Sequence, residues 1–470
     1  TPLYSSAASD VYKRQVMYRL TIKDILEATG GVLLCGDENT EIKDVCINSK
    51  EIKPGDLFVP IIGERVDAHR FIESALHTGA ATLTSQHTDI VVSEKPFVYV
   101  SDTEKALQDI GAYVRRKFKK PVIGVTGSVG KTTTRQMIAT VLSGCLNVYQ
   151  TEGNLNSQIG VPLTLRRIDE NAEAAVLEMG ISEPGQMEIL SDMVKPDICV
   201  VTMIGVAHIE FMKTRENIRK EKLSIINHMS PDGVLFLNGD DALLAEVKGD
   251  TGVRTFTYGT GADCDYRAEN LHMEDYQYVY DFVHGDTRVH VRLNALGKHN
   301  VGNSLVGLAI ADYMGLDLEK AAAGLSEFKG LRQKLIRVPG KYTIIDDTYN
   351  ASPDSMKASL DVLEDLETTG KKIAVLGDMF ELGENAEQYH YEVGKYVATK
   401  KIDELVVVGD LAQHIMQGVQ DSNSDINCYS FKDNGEVALY LLSVMQPEDI
   451  VLIKGSNGMH LDEVVNNMLG

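Results

Sequence analysis

Gly124-Val-Thr-Gly127-Ser-Val-Gly130-Lys131-Thr132-Thr133-Thr134 follows the β-branched run Pro121-Val-Ile-Gly-Val-Thr126 and leads into a helix-like pattern over 135–143. Strand, glycine-rich turn and helix in that order predict a phosphate-binding loop. Glycines let the backbone turn tightly, so that its N–H groups and the helix N-terminus face an anion. Gly127, Ser128, Val129, Gly130 and Thr133 are then expected to wrap ATP phosphates. Lys131 would reach the β and γ phosphates, and Thr132 would offer its hydroxyl to Mg²⁺. The spacing departs from the general form, because Val125 stands five before Gly130 and the glycines fall as Gly-x-x-Gly-x-x-Gly-Lys-Thr-Thr.

Outward from this loop the middle block alternates strand and helix. Ala174-Ala-Val-Leu177, Asp197-Ile-Cys-Val-Val-Thr202 and Val234-Leu-Phe-Leu237 read as short buried strands between helical patterns, as in a doubly wound parallel sheet. An insertion with strand-like alternation runs from about 255 to 296, and helical segments over 303–314 and 318–328 lead to a change of register near Gly330. The last block repeats the plan with Tyr342-Thr-Ile-Ile345, Lys372-Ile-Ala-Val-Leu376, Leu405-Val-Val-Val408 and Ile450-Val-Leu-Ile453. Each of these ends in a polar cluster: Asp346-Asp347, Gly377-Asp378, Gly409-Asp410 and Lys454-Gly455-Ser456. Ahead of the loop, 20–110 mixes short strands and helices around Pro-Gly turns and reads as a small α/β domain. The basic stretch Arg115-Arg-Lys-Phe-Lys-Lys120 suits a boundary. The expected division is 17–112, 113–330 and 331–470: a small N-terminal α/β domain, a central P-loop doubly wound parallel sheet and a C-terminal Rossmann-like α/β domain.

Length and composition fit that division. At 470 residues the chain is long enough for about three domains. With 46 Lys+Arg against 68 Asp+Glu, the net charge of −22 argues against general nucleic-acid binding, which needs a basic surface. The six cysteines, Cys35, Cys46, Cys145, Cys199, Cys264 and Cys428, are scattered with no C-x-x-C pair. Neither a zinc site nor a disulfide framework follows from them, and a cytoplasmic protein with reduced thiols is expected. No run of about 18 apolar residues is present, so no membrane insertion is expected. Residues 1–15 lack periodicity and the long apolar centre of a signal peptide. A natural-looking start lies at Met17, and what precedes it reads as a non-native leader or artefact.

In open α/β sheets ligands bind at the carboxyl ends of strands, so two blocks with polar rims predict a ligand between them. Glu178-Met-Gly180 and Ala207-His208-Ile-Glu210 follow middle-block strands, which puts Glu178 and His208 on the rim of Lys131 as ligands for a divalent cation. Thr151-Glu-Gly-Asn154-Leu-Asn156-Ser-Gln-Ile-Gly160-Val-Pro162 is a polar loop entering a helical pattern, of the kind that hydrogen-bonds a ligand. No Ser-His or Cys-His arrangement has local support, so bound ATP is the expected phosphoryl donor and a substrate group the acceptor.

These segments together resemble one family. The phosphate loop, Glu152-Gly-Asn-Leu-Asn-Ser-Gln-Ile-Gly-Val-Pro162, Leu177-Glu-Met-Gly180, Gly297-Lys-His-Asn300-Val-Gly-Asn303, Asp346-Asp-Thr-Tyr-Asn-Ala-Ser-Pro-Asp-Ser-Met356, Leu376-Gly-Asp-Met-Phe-Glu-Leu-Gly383 and Lys454-Gly-Ser456 are similar in order and spacing to the Mur ligases. The resemblance covers nearly everything after Met17. The 346–356 and 376–383 segments look like the branch that attaches D-alanyl-D-alanine to UDP-N-acetylmuramoyl-tripeptide.

That resemblance implies an ATP-dependent amide ligase of cell-wall precursor synthesis that proceeds through an acyl phosphate. It implies a uridine-nucleotide domain with Ile47-Asn-Ser-Lys50 and Pro54-Gly-Asp-Leu-Phe-Val59 as counterparts, hence Ser49 and Lys50 on substrate. By the same carry-over Asn300 and Asn303 contact adenine, and Arg332 and Asp347 reach the nucleotide from across the cleft. Asn154, Asn156, Tyr349, Asn350 and Lys454 face substrate. Lys222 matches the lysine that family members carry as a carbamate, so the expected metal set is Thr132, Glu178, His208 and carbamylated Lys222. Four departures stand out: Ser157 for Asn, Ser352 for the second Asn of YNANP, Asn457 for the Arg of KGSR, and Asn48-Ser-Lys50 for Asp-Ser-Arg. A monomer is expected, with a hinge in Phe328-Lys-Gly330-Leu-Arg332. Two other readings stay open at this point: a sister ligase adding another amino acid, and a nucleotide-dependent regulatory protein that does not ligate.

Overall fold

In the computed structural model the described residues are 16–63, 65–86, 94–274, 277–330 and 332–470; the expected leader 1–15, and Leu331 of the expected hinge, lie outside them. The N-terminal sheet is built from β1 (Val32–Cys35), β2 (Val45–Cys46), β3 (Leu57–Phe58), β4 (Ala81–Thr84) and β5 (Phe97–Tyr99), in the order β1-β5-β4-β3-β2. Only β1 runs antiparallel to its neighbour. The helix α1 (Thr103–Lys117) starts at Asp102, whose carboxylate accepts from the N–H groups of Glu104 and Lys105. Its apolar stripe, Ala106, Leu107, Ile110, Tyr113 and Val114, packs into the N-terminal core. That stripe continues through the 112/113 border expected from sequence, past Gly111, where a side chain would collide with Pro162. The helix thus spans that expected border, and Arg115-Arg-Lys117 is its last turn, where cations suit the negative end of its dipole.

The central sheet has nine strands: β6 (Val122–Thr126), β7 (Val148–Gln150), β8 (Ala174–Glu178), β9 (Ile198–Val201), β10 (Val234–Asn238), β11 (Arg254–Gly259), β12 (Tyr266–Glu274), β13 (Gln277–His284) and β14 (Thr287–Leu293). Their order is β14-β13-β12-β11-β10-β9-β6-β8-β7. Period-2 alternation gives both faces a core. In β6, Ile123 and Val125 enter one apolar cluster while Val122 enters the other. The pairs from β7 to β12 are parallel, whereas β12 to β14 form an antiparallel meander that extends the same sheet. The expected insertion is thus an edge of the central domain. Strand β6 lies between β8 and β9, where the chain order reverses, and its carboxyl end opens at that switch point.

The C-terminal sheet contains β15 (Lys334–Arg337), β16 (Thr343–Asp347), β17 (Lys372–Gly377), β18 (Glu404–Val408), β19 (Asn427–Phe431) and β20 (Ile450–Lys454), in the order β15-β16-β20-β17-β18-β19. All neighbours are parallel except β15 and β16. Ala374 and Leu376 of β17 face one core, Ile373 and Val375 the other. Register places Lys454 beside Asp347 and Leu376, so the polar ends of three strands meet on one rim.

Candidate active site

The helix after β6, α2 (Lys131–Ser143), begins at Lys131 rather than at Arg135. Its N-cap is Gly130 at φ 87, and no side chain caps it, so its first N–H groups face the cleft. Thr202 Oγ1 donates to the Val129 carbonyl at 2.6 Å and pins the loop. A side chain on Gly127, at φ 151, would collide with Thr202. Lys131 Nζ donates to the Gly127 carbonyl at 2.8 Å and lies 3.5 Å from that of Ser128. Burial pushes its amine below the usual lysine range; Glu178 opposes the shift, and the guanidinium of Arg332 adds to it.

Glu178, at the end of β8, is buried. Its Oε1 accepts from Thr132 Oγ1 at 3.1 Å and from Asn156 Nδ2 at 2.8 Å. Its Oε2 is buried and accepts no hydrogen bond; the Arg135 Nε stands 3.5 Å away. A hydroxyl and a carboxylate with one oxygen left over fit a hard, oxygen-seeking cation such as Mg²⁺. Among the described residues no group of three or more His, Cys, Asp or Glu could hold a metal ion, so phosphate and water oxygens would complete the shell. His208 lines the same cleft. Its Nδ1 is buried against the carboxylate of Glu381, which the imidazole holds below the usual acid range. Lys222 is buried on the helix over 215–223. Burial first, and then the charge of Lys131, push it well below the usual lysine range.

Asn300 and Asn303 sit on α3 (His299–Tyr313), which packs against α2. Thr134 Oγ1 donates to Asn303 Oδ1 at 2.9 Å, Asn303 Nδ2 to Asn300 Oδ1 at 2.8 Å, and Asn300 Nδ2 to the Leu296 carbonyl at 2.6 Å. This chain of bonds fastens the helix to the phosphate loop.

From the C-terminal side, the Arg332 guanidinium lies 3.1 Å over the ring of Tyr349. Asp347 Oδ2 accepts from Ser359 Oγ and from Lys454 Nζ, both at 2.6 Å, and Lys454 also donates to the Asn350 carbonyl at 3.0 Å. Lys454 is thus engaged with its own domain. Ser352 caps α4 (Pro353–Asp365) in a capping box with Ser355, and Ser157 Oγ accepts from the Gly160 N–H at 3.2 Å. Serine and asparagine are both good N-caps, which accounts for Ser352 among the four departures from the family pattern.

One cleft of about 1820 Å³ brings these groups together: Ser128, Val129, Gly130, Lys131, Thr132, Thr133, Asn156, Glu178, His208, Asn300, Asn303, Arg332, Asp347, Tyr349, Asn350 and Lys454 all line it. Pockets for one small ligand run to about 300–1,000 Å³, so this one suits more than a single substrate. Gly127, Ser49, Lys50, Asn154 and Lys222 are outside its lining. Lys50 closes a surface turn, its N–H donating to Asn48 Oδ1 at 3.1 Å. Sequence reasoning missed Glu381, Ser359 and Asp354; the 376–383 and 346–356 segments contain the first and last, but nothing local shows what they touch.

Three family profiles match the chain: Mur ligase family, catalytic domain, over 41–115; Mur ligase middle domain over 125–311; and Mur ligase, glutamate ligase domain, over 331–457. The UDP-N-acetylmuramoyl-tripeptide–D-alanyl-D-alanine ligase of Bacillus subtilis is 37% identical over 457 residues, covering 96% of this chain and 99% of its own. That of Escherichia coli is 31% identical over 457 residues, covering 96% and 98%. Among solved structures, MurF from Acinetobacter baumannii superposes with a TM-score of 0.88 at 29% identity, covering 96% and 99%. MurF ligase from Thermotoga maritima in complex with ADP gives 0.80 at 28% identity, covering 91% and 97%.

Proposed function

Since this chain belongs to the Mur ligase family, we infer that it ligates D-alanyl-D-alanine to UDP-N-acetylmuramoyl-tripeptide with the cleavage of ATP. It is an ATP-dependent ligase of peptidoglycan precursor synthesis. The observation that carries the mechanism is the meeting of Lys131 and Arg332, from two domains, over one cleft. Arg332 raises the cost of charge on Lys131, burial lowers the basicity of both, and an anionic phosphoryl group between them would relieve it.

The tripeptide carboxylate attacks the γ-phosphorus and ADP leaves; the dipeptide amine then attacks the acyl phosphate carbon, loses a proton and expels phosphate. Lys131, with the uncapped N–H groups of α2, holds the transferred phosphoryl, while Arg332 meets its charge from the other rim. Asn300 and Asn303 face adenine. Asp347 reaches the nucleotide from across the cleft with Arg332, and Tyr349 and Asn350 border the acceptor side, with Asn156 between tripeptide and Glu178. Thr132, Glu178 and His208 would hold Mg²⁺, which when bound neutralises phosphate charge. Lys222 is read as a carbamate: a buried lysine amine with depressed basicity is nucleophilic toward CO₂, and the product is an anion beside the cationic Lys131. Ser49 and Lys50 are kept as uridine-nucleotide contacts on resemblance alone. No helix among the described residues is long and apolar enough to cross a membrane. We place the enzyme in the cytoplasm, as a monomer.

The test is phosphate release with each acceptor omitted in turn. Release that needs both the UDP-linked tripeptide and D-alanyl-D-alanine is expected. Release indifferent to them refutes the ligase reading, and release with a single amino acid in place of the dipeptide refutes the choice of acceptor.

A further inference from the structure

The loop 378–383 of the C-terminal domain is held rigidly at its base. Asp378 Oδ1 accepts from the Ala412 N–H at 2.7 Å, His390 Nε2 from that of Met379 at 2.8 Å, and Ser456 Oγ from that of Phe380 at 3.0 Å. What this frame presents is Glu381, whose backbone is left-handed at φ 61. It meets His208 of the central domain, also left-handed at φ 62. Residues with side chains adopt that region only where their surroundings hold them there, and here two such residues touch across a domain boundary.

The contact is framed on both sides. Asp354 Oδ2 accepts from the Val206 N–H at 3.3 Å, the Glu210 N–H donates to the Glu381 carbonyl at 3.4 Å, and Val206 is buried in the C-terminal apolar core. The C-terminal domain therefore grips the segment that carries His208. Because Nδ1 is buried against Glu381, Nε2 is the ring nitrogen left for the cleft.

Resting on the ligase reading above, we propose that Glu381 is a positioning residue for His208, so that the cation site is complete only when the C-terminal domain is docked. A carboxylate on the far nitrogen fixes an imidazole's tautomer and ring orientation and raises its strength as a ligand. Here that carboxylate belongs to the domain that receives the second acceptor. Cation binding and domain docking thereby share one residue pair, and phosphoryl transfer is discouraged while the domains are apart.

The experiment is a titration of Mn²⁺ into the full chain with a non-hydrolysable ATP analogue, followed by the electron paramagnetic resonance of free Mn²⁺ and without turnover. Glu381→Ala is expected to weaken Mn²⁺ binding by roughly 10-fold or more. Glu381→Gln keeps the shape and an acceptor on the ring; it guards against a folding defect in the alanine variant and should weaken binding by a smaller, measurable factor. Tyr278→Phe removes another central-to-C-terminal hydrogen bond, to Asp365 Oδ2 at 3.3 Å, and should weaken Mn²⁺ binding by clearly less than Glu381→Ala, because it loosens docking without freeing His208. Wild-type affinity in both Glu381 variants, or an equal loss in Tyr278→Phe, overturns the proposal. Failure of the ligase reading would show separately, as wild-type phosphate release that ignores both acceptors, and leaves the Mn²⁺ comparison intact.

Discussion

Replacing Lys131 by Met should remove catalysis and leave the fold. The ammonium is one of two cations at the phosphoryl position, and the other, Arg332, remains. At an effective dielectric near 20, a unit charge about 4 Å from another is worth about 4 kcal/mol. Since about 1.36 kcal/mol is tenfold, that bounds the loss near 10³, and removal of single transition-state donors elsewhere costs about 10² to 10³. Stability moves little because two small terms oppose. The bond to the Gly127 carbonyl is lost, worth about 1 kcal/mol. A cation is also removed from the positive end of α2, where it is unfavourable by about 0.3–1 kcal/mol. Tm should therefore stay within about 4 °C of the parent. The assay is steady-state phosphate release at saturating substrates beside a thermal melt. A folded Lys131→Met enzyme with less than a tenfold loss would refute the phosphate-loop assignment, and an unfolded one would refute the claim that this lysine adds little to stability.

Lys222→Ala should be inactive, with a short added carboxylate restoring part of the rate; no rescue, together with no extra density on Lys222 in native crystals, would end the carbamate reading. Lys454→Met leaves a buried Asp347 with Ser359 alone and should cost about 3–5 kcal/mol, partly recovered in the double variant with Asp347→Asn; strictly additive losses in thermal melts would contradict the pairing. His390 is held below its usual 6.5 chiefly by burial, and its neutral Nε2 accepts from the Met379 N–H. The unfolded chain therefore takes up its proton first, and stability present above pH 6.5 is lost as pH falls below that value; melts from pH 8 to 5 should show a shallower decline in His390→Gln, and identical slopes would refute it. Small-angle scattering should show a smaller radius of gyration with an ATP analogue and the UDP-linked tripeptide than without ligands, and an unchanged radius would count against closure.

What could be read from the chain follows from where apolar side chains are buried on both faces. The strands β6, β8, β9, β10, β16, β17, β18 and β20 are largely buried runs flanked by turns, and each is apparent in the sequence at nearly its observed position. Among the strands that escaped, β4 lies inside its sheet but is only four residues long, two of them threonines, whereas β7, β15 and β19 are sheet edges. Their burial alternates or fails because one side has no neighbour, so Lys334-Leu-Ile-Arg337 and Asn427-Cys-Tyr-Ser-Phe431 show no apolar run to recognise. A helix that crosses the expected border at 112/113 is equally hidden: only the geometry of α1 shows that its stripe still packs on the N-terminal core at Val114.

Site residues divide along the same physical line. Lys131 and Thr132 are legible because a local shape, strand to loop to helix, assigns them a ligand before any tertiary contact is known. Glu178 and His208 are legible one step later, Glu178 as the end of β8 and His208 in the segment after β9, the two strands that flank β6. Glu381 and Ser359 acquire their roles from pairs formed between elements distant in sequence, His208 with Glu381 and Asp347 with Ser359. Lys454 shows the consequence most directly. As a lysine ending a strand beside the cleft it reads as a substrate ligand, yet Asp347 and the Asn350 carbonyl take two of its three donors inside the protein. Its charge is thus shared with Asp347 at the rim of the cleft, and that pairing exists only once β16 and β20 lie side by side.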